Sequence, residues 1–398
     1  MQDTQVIDNK NENIEILRAI AILLVMLIVH LGDVLAFPSA KYSWLKAHFD
    51  GGTGVDLFFV ISGFVITRSL ANSFSSSNAT RLSIVVAFWI KRIFRLLPAA
   101  FFWLLIVILY YFAVGALWDG HHLQLRNFIP MAAVIANIYN LYNAYCVANP
   151  MDACLCNTYY IIYGHYWILS LEGQFYIVFP LIFSFFKKHL LIGLMLILIA
   201  VQFFWLRPYW TYGWFFRIDG FCWGILLALL PLTSWDIPGL DRFLKNKTAV
   251  LIFSFVLIFL LPFLSSHVQG FGNQAKTYGV GLVAAISAAL VFIATRNEKC
   301  FGSWQPYRRL MLYIGSRSYS LYITHLLVFI MLRHLWSVIY GDMQFSDIER
   351  RLANIAMVIL SLAITVVAAE MTYRIIELKF RLKGRELAKG YIKEAPHG

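Results

Sequence analysis

A chain of 398 residues that is 60% hydrophobic, 17% aromatic and only 14% charged, with a mean hydropathy of +0.69, is not a soluble globular protein. Its long apolar runs recur from end to end, which predicts an all-α, polytopic transmembrane bundle without a sizeable soluble domain. The formal charge of +12 does not mark a nucleic-acid partner, because the cations follow the loops between runs.

The first run, Ile14–Phe37, follows the polar stretch MQDTQVIDNKNEN and lacks a small-residue cleavage site, so it reads as a membrane span and not a signal peptide. Arg18 stands where the run begins, and His30 interrupts it twelve positions later. On a helix that is roughly 18 Å, a good part of a hydrocarbon core of about 30 Å. An ionisable group at this depth marks a pathway or reaction site, or it is a neutral imidazole gluing helices together.

The second run opens Asp50-Gly-Gly-Thr-Gly-Val-Asp56 and continues to Ser62-Gly63-Phe64. The glycines permit a tight turn and close backbone approach, but no Lys-Ser/Thr pair follows to make a nucleotide loop. The short connection makes the first two spans neighbours. An Asp56–His30 pair would fix the imidazole tautomer and raise its basicity, as a general base requires. The alternative is that Asp56 caps its helix. In the third run Arg92 and Arg95 are three apart and share a helix face, either as forked cations for a phosphate-bearing ligand or as cytoplasmic anchors.

Asn127–Asn143 is apolar but carries Pro130 and several Asn, and is expected as a re-entrant or surface-lying outer helix. One disulfide is expected among Cys146, Cys154 and Cys156, with two pairings to Cys146 open. A metal site built from Cys154, Cys156, His121 and His122 lacks the usual ligand spacing, so no metal is expected. The fourth run carries His165, Trp167, Glu172 and Tyr176, with His165 and Glu172 seven apart on one face. Arg217 could bridge to Glu172 or Asp219, and a later run reads Ser318-Tyr319-Ser-Leu-Tyr322-Ile-Thr-His325.

Ten runs are counted, near 14–37, 53–73, 84–115, 163–186, 189–206, 213–232, 247–265, 276–295, 311–336 and 351–378. Lys and Arg concentrate in alternate loops and in KFRLKGRELAKGYIK at the end, which puts both termini in the cytoplasm. The expected organisation is a cytoplasmic tail (1–13), a transmembrane domain (14–380) with an outer segment at 126–158, and a basic cytoplasmic tail (381–398).

The order Leu17-Arg18-Ala19…His30, Gly54-Val-Asp-Leu-Phe-Phe-Val-Ile-Ser-Gly-Phe64, Arg92-x-x-Arg95-x-x-Pro98, His165-x-Trp-x-Leu-x-x-Glu172-x-x-Phe-Tyr176, Arg217…Gly220 and Ser318-Tyr-Ser-Leu-Tyr-x-x-His325 resembles the acyltransferase-3 family of membrane acyltransferases. The likeness runs through Glu377-x-x-Phe380, with departures at Ile168, Gly173 and Lys379, where Ser or Thr, Glu and Pro are frequent. It implies an O-acyltransferase of a bacterial cytoplasmic membrane that moves acetyl groups from cytoplasmic acetyl-CoA to an extracytoplasmic polysaccharide or glycolipid, lipopolysaccharide included. No extracytoplasmic esterase-like domain follows the last run, so a stand-alone form is expected. The resemblance makes His30 the essential histidine and puts Arg18, Arg92 and Arg95 on the acyl-donor side. The expected site adds Asp56 and Glu172 beside His30 in catalysis, and Ser62, His165, Trp167, Tyr176, Arg217, Tyr319 and His325 around the acceptor. The rival class is a proton-coupled transporter of a glycolipid or organic acid, in which the same ionisable groups relay protons. It does not account for paired arginines at the cytoplasmic face.

Overall fold

The computed structural model describes residues 11–114, 128–149, 152, 163–230, 238–270, 275–296, 300–341 and 343–393. The described elements are α1 (Glu12–Leu24), α2 (Ala40–His48), α3 (Thr53–Ser76), α4 (Arg81–Val114), α5 (Ile129–Ile135), α6 (Tyr139–Ala148), α7 (Tyr166–Phe185), α8 (Lys188–Phe204), α9 (Tyr212–Phe215), α10 (Asp219–Leu229), α11 (Pro238–Lys245), α12 (Lys247–Val268), α13 (Gly279–Arg296), α14 (Gln305–Ser316), α15 (Ser318–Tyr340), α16 (Asp347–Thr372) and α17 (Leu378–Lys393). The described chain is thus all-helical, and seven of its helices are long and apolar enough to cross a membrane. Many of the exposed side chains are large and apolar, among them Ile197, Val201, Phe255, Ile355 and Ile359. Arg207, Arg217, Asp219, His165 and His325 are buried instead, a distribution suited to a lipid surround.

Three predicted spans differ from uninterrupted helices. The first is regular only to Leu24; Val25–Val29 form a π turn, in which the His30 amide bonds the Val25 carbonyl at 3.2 Å, and Leu31–Asp33 form a 3₁₀ turn. His30 therefore ends the helix and does not sit within a continuous one. The predicted 213–232 span is α9 and α10, and α10 has 11 residues, roughly 16 Å, with Arg217 at the break between them. The predicted 311–336 span divides at Arg317 into the amphipathic α14 and the long α15. Asn127–Asn143 contributes two short helices, α5 and α6, neither long enough to cross. Its asparagines are used against α7: Gln174 donates to the Asn137 carbonyl at 3.0 Å and to Asn140 Oδ1 at 2.9 Å. Cys146 is disulfide-bonded. Cys154, Cys156, His121 and His122 lie outside the described residues, as does most of the expected 1–13 tail.

Small residues set how closely the central helices pack. A Cβ on Gly63 would lie 2.4 Å from the Phe221 carbonyl oxygen, and one on Gly224 would lie 2.2 Å from that of Val60. The two backbones of α3 and α10 are therefore in contact, as small residues allow between membrane helices. Asp50 pins the turn before α3, accepting from Tyr209 and Ser265 hydroxyls at 2.8 Å each. Burial, and then the Asp50 carboxylate, push the Tyr209 hydroxyl above its usual range. At the other terminus, residues expected as a separate tail continue as helix through Lys393 after a second π turn at Tyr373–Glu377. Phe380 meets Phe94 there, with ring centroids 6.4 Å apart, so α17 lies along α4.

Candidate functional site

Three segments pair a predicted histidine with a second predicted residue, spaced so that the two span the interior. On α1 and its π extension these are Arg18 and His30; at α7 they are Glu172 and His165; on α15 they are Tyr319 and His325. Separations of twelve, seven and six positions put the histidines roughly 9–18 Å along the helices from the other set. The result is two neighbouring sites, an arginine chamber and a histidine cluster.

The chamber is a narrow slot between α1, α3, α4, α7 and α15. Arg18, Arg92, Arg95, Ser62, Glu172, Tyr176, Tyr319 and Tyr322 supply its polar walls, and Val55, Phe58, Phe59, Ile168 and Leu169 are among its apolar ones. Arg18 donates to Glu15 at 2.8 Å. Arg92 packs over the Phe88 and Tyr176 rings, its guanidinium carbon 5.3 Å from each centroid. Among the described residues no carboxylate is within ion-pair distance of Arg92 or Arg95. These arginines face the slot, and Glu172 shares its wall with them. Two guanidiniums with no carboxylate bonded to them suit an anion that arrives from outside the chain. Glu172 is held in place, accepting from Ser62 Oγ at 2.8 Å and from the Tyr176 hydroxyl. Tyr319 donates to the Leu96 carbonyl at 2.6 Å, two residues before Pro98. Four residues expected near the acceptor or the histidine, namely Ser62, Glu172, Tyr176 and Tyr319, thus line the arginine chamber.

In the cluster, His30 lies 5.2 Å from His325 between ring centroids, and His325 lies 6.2 Å from His165. His30 Nδ1 is 2.8 Å from Asp33 Oδ2, with the side chains 21% and 37% exposed. An ionised carboxylate only accepts, so Nδ1 carries the proton and Nε2 is left free to act as a base. The expected Asp56–His30 pair does not form. The 3₁₀ turn brings Asp33 under the ring, whereas Asp56 is buried and bound by Arg217 Nη1 at 3.4 Å. Nor does Arg217 bridge to Glu172 or Asp219. Its guanidinium lies over Trp214 at 3.8 Å and Trp167 at 5.1 Å from the ring centroids. Asp219 is taken by Arg207, at 3.2 and 2.8 Å through two nitrogens. Asp56, Trp167 and Arg217 therefore form a buried bridge of their own.

Asp33 follows His30 by three positions, a spacing that puts two side chains on one side of a helical turn, and the 3₁₀ turn at Leu31–Asp33 holds the pair together at 2.8 Å. The spacing His30-x-x-Asp33 was the available signal. Tyr322 is the element shared by the two sites. It lines the chamber, its ring is 5.6 Å from His325 and 5.8 Å from His165, and its hydroxyl donates to the His165 carbonyl at 2.6 Å.

A “putative O-acetyltransferase” of Staphylococcus aureus strain COL is 28% identical over 388 residues, covering 92% of this chain and 57% of the relative. The peptidoglycan O-acetyltransferase OatA of Listeria monocytogenes is 25% identical over 366 residues, covering 86% of this chain and 53% of OatA. The O-acetyltransferase OatA of Staphylococcus aureus strain NCTC 8325 is 27% identical over 365 residues, covering 86% and 54%. The chain thus spans little more than half the length of these relatives. No solved structure matches it. The family described as “Acyltransferase domain” matches residues 11–370, and with that span and the motifs in order the chain belongs to the acyltransferase-3 family.

Proposed function

We propose that this protein is a membrane-embedded O-acyltransferase that takes an acetyl group from cytoplasmic acetyl-CoA and places it on a hydroxyl of an extracytoplasmic saccharide. The observation that carries the reading is a pair of arginines without bonded carboxylates, lining a slot whose Tyr322 wall meets His325, the ring next to the carboxylate-held His30. The phosphates of CoA bind Arg92 and Arg95, with Arg18 beside them, and the pantetheine arm follows the apolar wall toward Tyr322. The acceptor hydroxyl gives its proton to His30 Nε2 as its oxygen forms the new bond to the thioester carbonyl carbon. The carbon–sulfur bond breaks, and the departing thiolate takes the proton from the imidazolium. Asp33 orients the ring and stabilises its charged form.

The relatives' names support acetyl as the group and a cell-wall or other surface polysaccharide as the acceptor. In this reading the chain crosses a bacterial cytoplasmic membrane ten times with both ends inside. The shorter α1, α8 and α10 complete the count, and residues 14–380 form the acyltransferase unit. Purified protein in vesicles, given labelled acetyl-CoA and bacterial surface glycan, should acetylate the glycan. His30→Ala should bind acetyl-CoA as wild type does yet transfer less than one part in about 10³. Normal transfer by that variant would sink the mechanism. Absence of acetyl-CoA binding by the wild type, together with proton-coupled substrate movement, would favour a transporter.

A further inference from the structure

We infer that His325 and His165 read the hydrogen-bond donors of a neutral, polyhydroxylated acceptor, so the group acylated beside His30 bears no negative charge. This deepens the acyltransfer reading and rests on it. His325 is 0% and His165 4% exposed, yet His325 Nε2 and both nitrogens of His165 have no hydrogen-bond partner among the described residues. The tautomer of His325 follows from its neighbours. Its Nδ1 is 2.7 Å from the Tyr322 carbonyl oxygen and 3.2 Å from that of Leu321. Carbonyls only accept, so Nδ1 holds the proton and Nε2 presents a lone pair. His30 is arranged the same way, its Nδ1 occupied by Asp33 and its Nε2 open.

The cluster therefore offers two lone pairs from adjacent rings, plus one donor and one acceptor on His165. Unpaired buried polar groups are costly, and a ligand entering the cluster can supply the missing partners. A ligand satisfying all of them supplies three hydrogen-bond donors and accepts one. A sugar bearing the attacking hydroxyl and two further hydroxyl or amide N–H groups nearby has that pattern; a simple alcohol does not.

Charge narrows the class further. Among the described residues no Lys or Arg bonds to or stacks on these three rings, whose neighbours are Asp33, Tyr166, Tyr322, Phe329 and one another. The one ionised partner is the Asp33 carboxylate. A uronate or phosphate next to the reacting hydroxyl would meet that charge without compensation. Arg207 and Arg217, buried elsewhere in the interior, are bound to Asp219 and Asp56, while Arg92 and Arg95, with no bonded carboxylate, line the chamber, so anionic donor and neutral acceptor are sorted to different ends of the interior. Among the described residues no group of His, Cys, Asp or Glu is placed to hold a metal ion, and hydroxyl recognition accounts for the open nitrogens directly.

The test uses the full chain in vesicles with labelled acetyl-CoA and a panel of oligosaccharides of glucose, of N-acetylglucosamine and of glucuronate. At least one neutral series should be acetylated, and the glucuronate series at least tenfold less efficiently in kcat/KM. His325→Leu should raise the acceptor KM about tenfold while leaving the KM for acetyl-CoA unchanged, and His325→Gln, whose amide oxygen can accept, should recover part of the loss. His165→Leu and His165→Gln should behave as a parallel pair. Equal use of glucuronate, an unchanged acceptor KM in both leucine variants, or equal changes in the two KM values would overturn the inference and leave acyl transfer standing. Absence of transfer to any panel member would overturn the acyltransfer reading and this inference with it.

Discussion

Asp33 and Asp56 have the same side chain, and their surroundings give them opposite uses. Asp33 is part-exposed, sits in a tight turn and touches an imidazole with a free second nitrogen. Asp56 is buried, lies one turn inside α3 and neutralises a guanidinium sandwiched by tryptophans. Asp33→Asn should therefore lower kcat for acyl transfer by about 10²-fold with little change in thermal stability. That is less than the 10⁴-fold effect of the corresponding change in a buried Ser-His-Asp triad, because solvent reaches this pair. Asp56→Asn should instead lower stability, since removing one partner of a buried pair costs about 3–5 kcal/mol, with kcat of the folded fraction retained. Thermal unfolding in detergent and transfer kinetics on the same preparations check both. If Asp33→Asn unfolds the protein and Asp56→Asn abolishes chemistry, the two assignments are reversed.

At the scale of the element, the α3–α10 contact holds one wall of the interior at fixed spacing, since both helices meet through glycine. Gly224→Val adds branched carbon where a Cβ alone would be 2.2 Å from the Val60 carbonyl oxygen. The helices must separate, at a cost of roughly 1–3 kcal/mol. The expected outcome is a fall of several degrees in the unfolding midpoint, and unaltered thermal stability would show that the helices do not touch there. The π turns act differently. Each ends at an ionisable residue: Val25–Val29 leads into His30, and Tyr373–Glu377 closes on Glu377, which accepts from Ser320 at 2.8 Å. A π turn shifts the register of all that follows it, and such turns recur at functional sites. Here the first one turns the chain so that Asp33 can reach back to His30.

For the molecule as a whole, α1, α4, α7 and α15 make a two-ended device, with the arginines of α1 and α4 at one end and the histidines at the other. The proposed topology puts the arginine end at the cytoplasm. Acetyl-CoA added to sealed inside-out vesicles should then bind and support acetylation, while the same addition to right-side-out vesicles should not. In the accessible orientation, the Arg92→Ala/Arg95→Ala protein should bind acetyl-CoA about 10²-fold more weakly, because two charge-assisted contacts are lost. Binding from the opposite face, or undiminished binding by the double variant, would contradict the assignment of the chamber.

Composition and apolar runs by themselves determined that this is an all-α membrane protein, because a lipid surround leaves the backbone no other way to satisfy its hydrogen bonds in such runs. The motifs in order also identified the family and nominated Arg18, His30, Arg92, Arg95 and Glu172, since rare ionisable groups stand out in an apolar text. Their partners were not legible. Whether Arg217 meets Asp56, Glu172 or Asp219 depends on where a helix break aims a long side chain, and Arg207, which takes Asp219, sits between runs. The division into two sites, and Asp33 beneath His30, were decided only by tertiary structure. A departure from regular helix at Val25–Asp33 and the contacts among α1, α7 and α15 create them, and helical periodicity in one dimension carries neither.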